Sequence, residues 1–391
     1  MTLVSEAGEA IRSSNADAWL VHSFRGGNPV FTRLVGTRLF MTRRAFILIK
    51  PDEAPRLLVS RVDRSAAIGE LEGFDVGYYL TWQELSTWLR DHLAGLSTVA
   101  MEYSPMGELP AMSWVDGGTL DLVRSTGVTV VSSAELFQRS AAAWSDEARA
   151  SHERAMRHVV EIKDDAFAEI QRLLSDGSPC DEHLVQTRIT DAFAARGLMT
   201  DDPPVVAVNA NSGDPHYVPS SDRHDPIAAG DWVLIDLWAK ERGPEAVFAD
   251  ITWVGYAGSA VPQRHREVFE IVAAARDAVL EHLRAHRACP GYELDQVARK
   301  VIADAGYGEQ FAHRTGHSLS AGDSVHGLGA NLDDLETHDT RVVHAGLGFT
   351  IEPGIYLPEF GVRSEINVFM SHDGPVVTSP AQSSPIVMAV E

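Results

Sequence analysis

Two pairs of apolar segments, each pair joined by a short turn and each segment carrying an acidic residue, constrain the fold of this chain most strongly. The first pair is Asp231–Lys240 and Val247–Gly255, and the Gly- and Pro-containing turn between them predicts a β-hairpin. A hairpin symmetric about Gly243 would place Asp236 opposite Asp250. Like charges at that separation are unfavourable in apolar strands, so the pattern calls for a compensating cation.

The second pair of segments repeats this arrangement. Phe349–Tyr356 and Val362–Phe369 flank a turn, and the register that centres the turn places Glu352 opposite Glu365. We expect Pro353 to distort the first of these strands. Four carboxylates around one site would attract about two divalent ions, and oxygen ligands suit manganese, magnesium or cobalt, with zinc also possible. The alternative is that each acidic side chain lies on a solvated strand face.

A histidine would complete such a metal site, and the segment from His313 to His317 is the richest candidate. The two histidines are four residues apart, but the intervening Thr-Gly favours a strand or turn over a helix, and no HExxH motif is present. His216 and His326 are further candidates. For each histidine taken alone, the alternative is a hydrogen-bonded structural residue.

The length of the chain, 391 residues, favours two domains. Residues 1–144 alternate short apolar runs with an amphipathic segment, which predicts a small α/β domain without a catalytic constellation. The predicted strands there are Ala45–Ile49, Arg56–Ser60 and Val128–Val131, and the predicted helix is Thr81–Leu96.

Residues 145–391 predict an α+β domain with helices on a mostly antiparallel sheet. Ser145 is predicted to be the N-cap of a long helix that ends near Asp176-Gly177. Further helices are expected at 181–196, 262–288 and 293–305.

Composition excludes several classes of protein. With 33 basic and 55 acidic residues, the net charge of −22 disfavours nucleic acid as a partner. Two distant cysteines make no disulfide framework, and neither a signal peptide nor a membrane-spanning apolar stretch is expected, which favours the cytoplasm. No P-loop, GxGxxG or GxSxG motif occurs.

The ordered set Asp, Asp, His, Glu, Glu resembles the pita-bread metallopeptidases, which include Xaa-Pro aminopeptidases, prolidases and methionine aminopeptidases. The resemblance extends from about Ser145 to the end of the sequence, and its motifs read VLIDLWA, ADITW, HRTGHS, TIEPGIY and GVRSEINV. The N-terminal region resembles a creatinase-type N-domain in size and position. The fold implied for the catalytic domain is therefore a curved, mostly antiparallel pita-bread sheet.

The resemblance also implies a role for each matched residue. Asp236 would chelate one ion, Asp250 and Glu365 would bridge two, and His317 and Glu352 would complete the shell of the second. Glu352 would also act as the general base toward water at the metals. The substrate-side residues implied are His216 and His326, which would stabilise the tetrahedral intermediate, and His313 and Arg363, which match positions in proline-specific members.

The implied activity is removal of the N-terminal residue from small peptides with proline second, with two divalent ions (manganese first, cobalt or zinc as alternatives) and a homodimeric state. The sequence departs from most relatives at Trp238, where glycine is usual, at Trp253, where a basic residue is usual, and at Asn367, where an acid is common. These departures keep open a non-peptidase hydrolase or lyase of small zwitterions on the same fold. An inactive binding protein is the third alternative, although all five metal-ligand positions are retained.

Overall fold

The computed structural model of the chain describes residues 3–67, 71 and 73–390. The chain divides into two compact units, Met1–Ala143 and Trp144–Glu391. Both cysteines are buried free thiols. Over the described ranges, no helix is both long and apolar enough to cross a bilayer.

The first unit is built on a mixed six-stranded sheet with the order β4-β3-β2-β1-β5-β6. Its central strand β1 is almost wholly buried, and it pairs antiparallel with β2 and parallel with β5. The strands are β1 Ala18–Phe24, β2 Arg44–Ile49, β3 Arg56–Ser60, β4 Asp75–Tyr79, β5 Thr98–Met101 and β6 Thr129–Ser132. The helices are α1 Leu3–Arg12, α2 Pro29–Val35, α3 Trp82–Leu93, α4 Gly117–Arg124 and α5 Ala134–Ser140.

Several strands and one helix of this unit were predictable from its sequence. The strands expected at Ala45–Ile49 and Arg56–Ser60 form as β2 and β3, and the one expected at Val128–Val131 forms one residue later as β6. Thr81 caps α3 through a capping box, in which its hydroxyl accepts a hydrogen bond from the Glu84 N–H at 3.2 Å. The helix ends at Leu93, three residues before the predicted end.

Its described residues give the second unit four α-helices and several small sheets. The helices are α6 Asp146–Ser175, α7 Glu182–Ala195, α8 Gln263–Ala285 and α9 Gly291–Asp304. The strands are β7 Val205–Val208, β8 Trp232–Ala239, β9 Ala249–Tyr256, β10 Cys289–Pro290, β11 Ser318–Leu319, β12 Val342–Val343, β13 Gly348–Ile351, β14 Gly354–Tyr356, β15 Gly361–Arg363, β16 Ile366–Ser371, β17 Gly374–Val377 and β18 Ile386–Val387. They form sheets of order β18-β9-β8-β7, β11-β13-β16-β17, β14-β15 and β10-β12. Of these described ladders, only β18–β9 is parallel, so the sheets are mostly antiparallel as predicted.

The long helix α6 determines which face of strand β8 carries the functional side chains. Ser145 caps α6 by accepting a hydrogen bond from the Ala148 N–H, as its sequence context predicts. The apolar face of the helix packs in one core with Val233, Ile235 and Leu237 of β8. Because side chains alternate along a strand, Asp236 and Trp238 lie on the opposite face.

The first hairpin forms, but the predicted register is wrong by two residues. Asp236 pairs with Thr252, and Asp250 pairs with Trp238. The reason is the turn, in which the Ala246 N–H donates to the Gly243 carbonyl, so Pro244 occupies the first central position and shifts the centre toward the C-terminus. A shift of two residues preserves the face of the strand, so Asp236 and Asp250 remain diagonal neighbours on one face.

The second hairpin has the predicted register. Ile351 pairs with Ile366 on one side of the acidic positions, and Gly354 pairs with Arg363 on the other. Glu352 and Glu365 therefore face each other across a gap between two short ladders. The gap is where Pro353 interrupts the strand, because proline has no N–H to donate to a ladder.

Candidate metal centre

All nine residues singled out from the sequence line one cavity of about 460 Å³ in the second unit. Asp236 lies on β8 and Asp250 on β9, His317 directly precedes β11, and the two glutamates lie at the interruption of the second hairpin. The remaining four residues are His216, His313, His326 and Arg363.

Three of these side chains form a compact cluster. Asp250, His317 and Glu365 are all buried, and each offers a ligand atom within 4.8 Å of the others. The Nε2 atom of His317 lies 3.4 Å from Asp250 Oδ2 and 3.5 Å from Glu352 Oε1. One loop and two hairpins thus bring five potential ligands to the cavity.

The orientation of His317 is fixed by its own backbone surroundings. Its Nδ1 lies 3.2 Å from the Ser318 carbonyl, which makes Nδ1 the donor and leaves the Nε2 lone pair directed at the acids. Burial lowers the pKa of His317 well below its ordinary value, so the ring is neutral. Glycine at position 316 lets the backbone just before His317 pass close to Thr350, since a Cβ on Gly316 would lie 2.1 Å from the Thr350 carbonyl oxygen.

The carboxylates are poorly satisfied by the protein alone. Among the described residues, one oxygen each of Asp236, Asp250 and Glu365 is buried without a hydrogen-bond partner. Burial, followed by repulsion from neighbouring acids, raises the pKa of Asp250 and Glu365 well above their ordinary values. Buried charges of this kind are paired or coordinate metals, so the donor set fits divalent cations.

Arg363 donates hydrogen bonds to several residues around the site. Its guanidinium donates to Asp236 Oδ2 at 2.6 Å, to the Tyr356 hydroxyl at 2.8 Å and to the Thr252 hydroxyl at 3.0 Å. Thr252 in turn donates to Glu365 Oε2 at 2.9 Å. All three guanidinium nitrogens of Arg363 are therefore engaged by protein, and one of them holds an acid of the cluster directly.

Sequence reasoning assigned no role in the site to two further residues, Thr252 and Asn367. Thr252 lies two residues after Asp250 on the same strand face, so its position was a signal that could have revealed it. Asn367 accepts a hydrogen bond from the Asp250 N–H at 3.0 Å and donates to the Asp250 carbonyl at 2.6 Å. This double contact fixes the backbone of Asp250, and an ionised carboxylate at this position could accept a hydrogen bond but not donate one.

His313 is engaged on both ring nitrogens. Its Nδ1 donates to the Arg314 carbonyl at 2.7 Å, and its Nε2 accepts from the Tyr356 hydroxyl at 2.6 Å. Burial, followed by the charge of Arg363, lowers the pKa of His313 to about 3, so the ring is neutral. A continuous chain of hydrogen bonds therefore runs from His313 through Tyr356 to Arg363, which itself contacts Asp236.

The other two histidines are exposed and line the cavity. The ring of His326 meets the ring of His317 edge-on, with centroids 4.4 Å apart. His216 follows a short turn in which its N–H donates to Asp214 Oδ1 at 3.1 Å. Both imidazoles are therefore accessible to a ligand in the cavity.

The unusual Trp238 forms part of the cavity wall. Its indole Nε1 donates to Asp201 Oδ1 at 2.6 Å, and Asp201 Oδ2 accepts from the Val325 N–H at 2.9 Å. The indole is therefore held in place beside Asp236. Trp253, the second unusual tryptophan, lies on the α6 side of the sheet, where the Lys163 ammonium sits 3.7 Å from its ring centroid.

The fold is that of a pita-bread protein. The donor set is rich in carboxylates and is of the kind that binds divalent metal ions. A sequence profile of metallopeptidase family M24 matches residues 154–372, which is more than half of the chain. The chain belongs to metallopeptidase family M24, and the expected family and fold class are confirmed. This membership implies divalent metal ions as cofactors.

Individual relatives agree with this assignment. The chain is 36% identical over 181 residues to an Xaa-Pro dipeptidase of Lactobacillus delbrueckii subsp. lactis, which covers 46% of this chain and 45% of the relative. It is 36% identical over 174 residues to an Xaa-Pro dipeptidase of Pyrococcus horikoshii, which covers 44% of each. The aligned segments thus span less than half the length of these curated relatives.

The similarity to solved structures extends over nearly the whole chain. The dipeptidase PepE from Mycobacterium ulcerans superimposes with a TM-score of 0.74 at 21% identity, covering 99% of this chain and 97% of that one. The prolidase from Pyrococcus horikoshii OT3 superimposes with a TM-score of 0.65 at 23% identity, covering 97% and 98%. At these identities the likeness establishes the fold.

Proposed function

We propose that this protein is a dinuclear-metal hydrolase that removes the N-terminal residue from small peptides with proline in the second position. The observation that carries the proposal is the buried cluster of Asp250, His317 and Glu365, whose ligand atoms lie within 4.8 Å of one another. In addition, one oxygen each of Asp236, Asp250 and Glu365 lacks a hydrogen-bond partner among the described residues. The Xaa-Pro dipeptidases among the relatives support the substrate class.

In this proposal Asp236, Asp250, His317, Glu352 and Glu365 hold two divalent ions. Manganese is the first choice, with cobalt or zinc as alternatives, because the set is mostly oxygen with one imidazole. Two bound ions lower the pKa of a water molecule and polarise the scissile carbonyl.

The remaining residues bind, orient and move protons. Glu352 accepts the proton of the attacking water and passes it to the leaving nitrogen. Thr350 orients Glu352 by donating to its Oε1 at 3.2 Å. His216 and His326 donate to the oxyanion that develops at the carbonyl oxygen, while His313 and Arg363 shape the leaving-group side.

The chemistry of an Xaa-Pro bond explains why such a site would bind its substrate through side chains. The bond is a tertiary amide without an N–H, so it cannot be held by the backbone contacts that bind ordinary peptides. Recognition has to come from the carbonyls, the free amine and the ring.

We also propose that the protein is a homodimer and that it lies in the cytoplasm. A monomer mass by light scattering at micromolar concentration would contradict the homodimer.

The test combines metal analysis with a substrate panel. The purified protein should contain about two divalent ions per chain, and a chelator should abolish hydrolysis of Xaa-Pro dipeptides. Active protein without metal would refute the metal assignment. Turnover of a non-peptide amide or a small zwitterion, with no hydrolysis of any Xaa-Pro peptide under manganese, cobalt or zinc, would refute the peptidase assignment.

A further inference from the structure

The loop that carries His326 has little regular structure of its own. Residues 320–341 are all described, and they contain no helix and no strand beyond an isolated bridge at Leu332. Residues 320–327 include two glycines and two serines, a composition that favours a flexible loop. A histidine on such a loop needs contacts from outside the loop to keep one position.

Asp201 supplies one of these contacts from a distant part of the second unit. Its Oδ2 accepts a hydrogen bond from the Val325 N–H at 2.9 Å, and its Oδ1 accepts one from the Trp238 indole at 2.6 Å. The Val325 side chain is buried, and Trp238 packs against the same apolar cluster. Asp201 thus joins the residue directly before His326 to strand β8.

The backbone is also held on the other side of His326. The Gly327 N–H donates to the Ser318 carbonyl at 2.7 Å, and a Cβ on Gly327 would lie 2.6 Å from Ser320 Oγ. Because Ser318 directly follows His317, this contact ties the loop to the proposed metal ligand. The rings of His326 and His317 meet edge-on between these two attachments, with centroids 4.4 Å apart.

The contacts of Asp201 distinguish it from the residues that meet a ligand. Trp238, Val325 and His326 are among the described residues that line the cavity, and Asp201 is not one of them. Both of its carboxylate oxygens already accept a hydrogen bond from the protein. Any effect of Asp201 on a reaction in the cavity therefore passes through the residues that it holds.

We propose that Asp201 is a positioning residue, which fixes His326 for catalysis by holding the Val325 N–H. The proposal rests on the proposed function, in which His326 donates to the oxyanion. Such a donor is effective only when it already points to the place where the charge develops, and a displacement of about 1 Å can lower the rate about a hundredfold. Loss of the contact should lower kcat rather than raise KM, because the oxyanion exists only beyond the ground state.

The D201N variant removes one half of the contact. The asparagine oxygen can accept from the indole, but the NH2 group then faces the Val325 N–H as a second donor. The loop should remain folded, because the Val325 side chain stays buried and Lys240 still donates to the Gly322 carbonyl. We expect D201N to lower kcat for Ala-Pro by about tenfold and to change KM by less than about twofold.

A double-mutant cycle shows whether Asp201 acts through His326. H326A alone should lower kcat at least about a hundredfold, and adding D201N should lower it by less than about a further twofold. The proposal is overturned if D201N leaves kcat unchanged in wild type, or if it lowers kcat by the same factor in both backgrounds. D304N is the charge control, since Asp304 is exposed at the end of α9, where it pairs with Lys300, and its replacement should leave kcat unchanged.

Hydrogen exchange tests the contact without any substrate. D201N should speed exchange of the backbone amides in a peptide spanning residues 320–328 at least about tenfold, whereas D304N should not. Unchanged exchange in D201N overturns the proposal even if its kcat falls. If wild type hydrolyses no Xaa-Pro peptide, the proposed function fails, and the exchange result alone then decides whether Asp201 fixes the loop.

Discussion

The hydroxyl of Thr252 links the positive and negative parts of the metal centre. The side chain is fully buried, and its oxygen lies 3.0 Å from Arg363 Nε and 2.9 Å from Glu365 Oε2. Valine has nearly the same shape as threonine but can neither accept from Arg363 nor donate to Glu365. The T252V substitution therefore removes two charge-assisted hydrogen bonds and leaves a buried guanidinium N–H unpaired.

The expected magnitude follows from those two contacts. A buried donor left without its acceptor costs about 1–3 kcal/mol, and a hydrogen bond to a charged group contributes about 1.5–3 kcal/mol. Because contacts within one network are not additive, we expect the free energy of unfolding to fall by about 2–4 kcal/mol. Loss of a group that orients a metal ligand typically costs about 10- to 100-fold in metal affinity.

The assay uses protein stripped of metal. Urea unfolding gives the stability of wild type, T252V and T252S, and calorimetric titration with manganese gives the metal Kd of each. T252S keeps the hydroxyl and should remain close to wild type in metal affinity. The reasoning is refuted if T252V unfolds at the wild-type urea concentration and binds manganese with the wild-type Kd.

Two further predictions concern the base and a buried acid in the first unit. E352Q should retain the metal content of wild type but lower kcat at least about a hundredfold, and wild-type turnover at normal metal content would contradict the role of Glu352. Burial raises the pKa of Glu102 from 4.5 to about 7, although Trp19, Asn28 and Ser133 donate to it. The folded state thus binds its proton more tightly than the unfolded state, so this stabilisation is complete below pH 4.5 and is lost as the pH rises to about 7. The unfolding free energy of wild type relative to E102Q should therefore fall by about 3 kcal/mol between pH 4.5 and 8, and a pH-independent difference would refute the assignment.

The elements and the placement of the acidic side chains were predictable from the sequence because both depend on local patterns. The cap at Ser145, the helix that follows it and the register around Glu352 and Glu365 are set by residues close in sequence. The register around Asp236 was wrong because it depends on where Pro244 falls within the turn. That error left the strand face unchanged, so it did not remove either aspartate from the site.

The network behind the ligands could not be predicted, because its members are distant in sequence. Thr252 and Arg363 are 111 residues apart, and Asn367 lies 117 residues from the Asp250 backbone that it holds. Each contact is specified by packing of separate hairpins, which no local pattern records.

Trp238 is the departure from the family pattern with the clearest consequence for specificity. The indole shares a strand face with Asp236, pairs across the strands with Asp250 and is held by Asp201. It therefore fills space next to the acids that would receive the substrate amine, where glycine would leave room for the side chain of the N-terminal residue. W238A should raise kcat/KM for Phe-Pro relative to Ala-Pro by about tenfold or more, since each methylene admitted to a pocket is worth about 1–3 kcal/mol. D201N keeps an acceptor for the indole and should change this ratio much less, whereas an unchanged ratio in folded, metal-loaded W238A would show that the N-terminal side chain lies elsewhere.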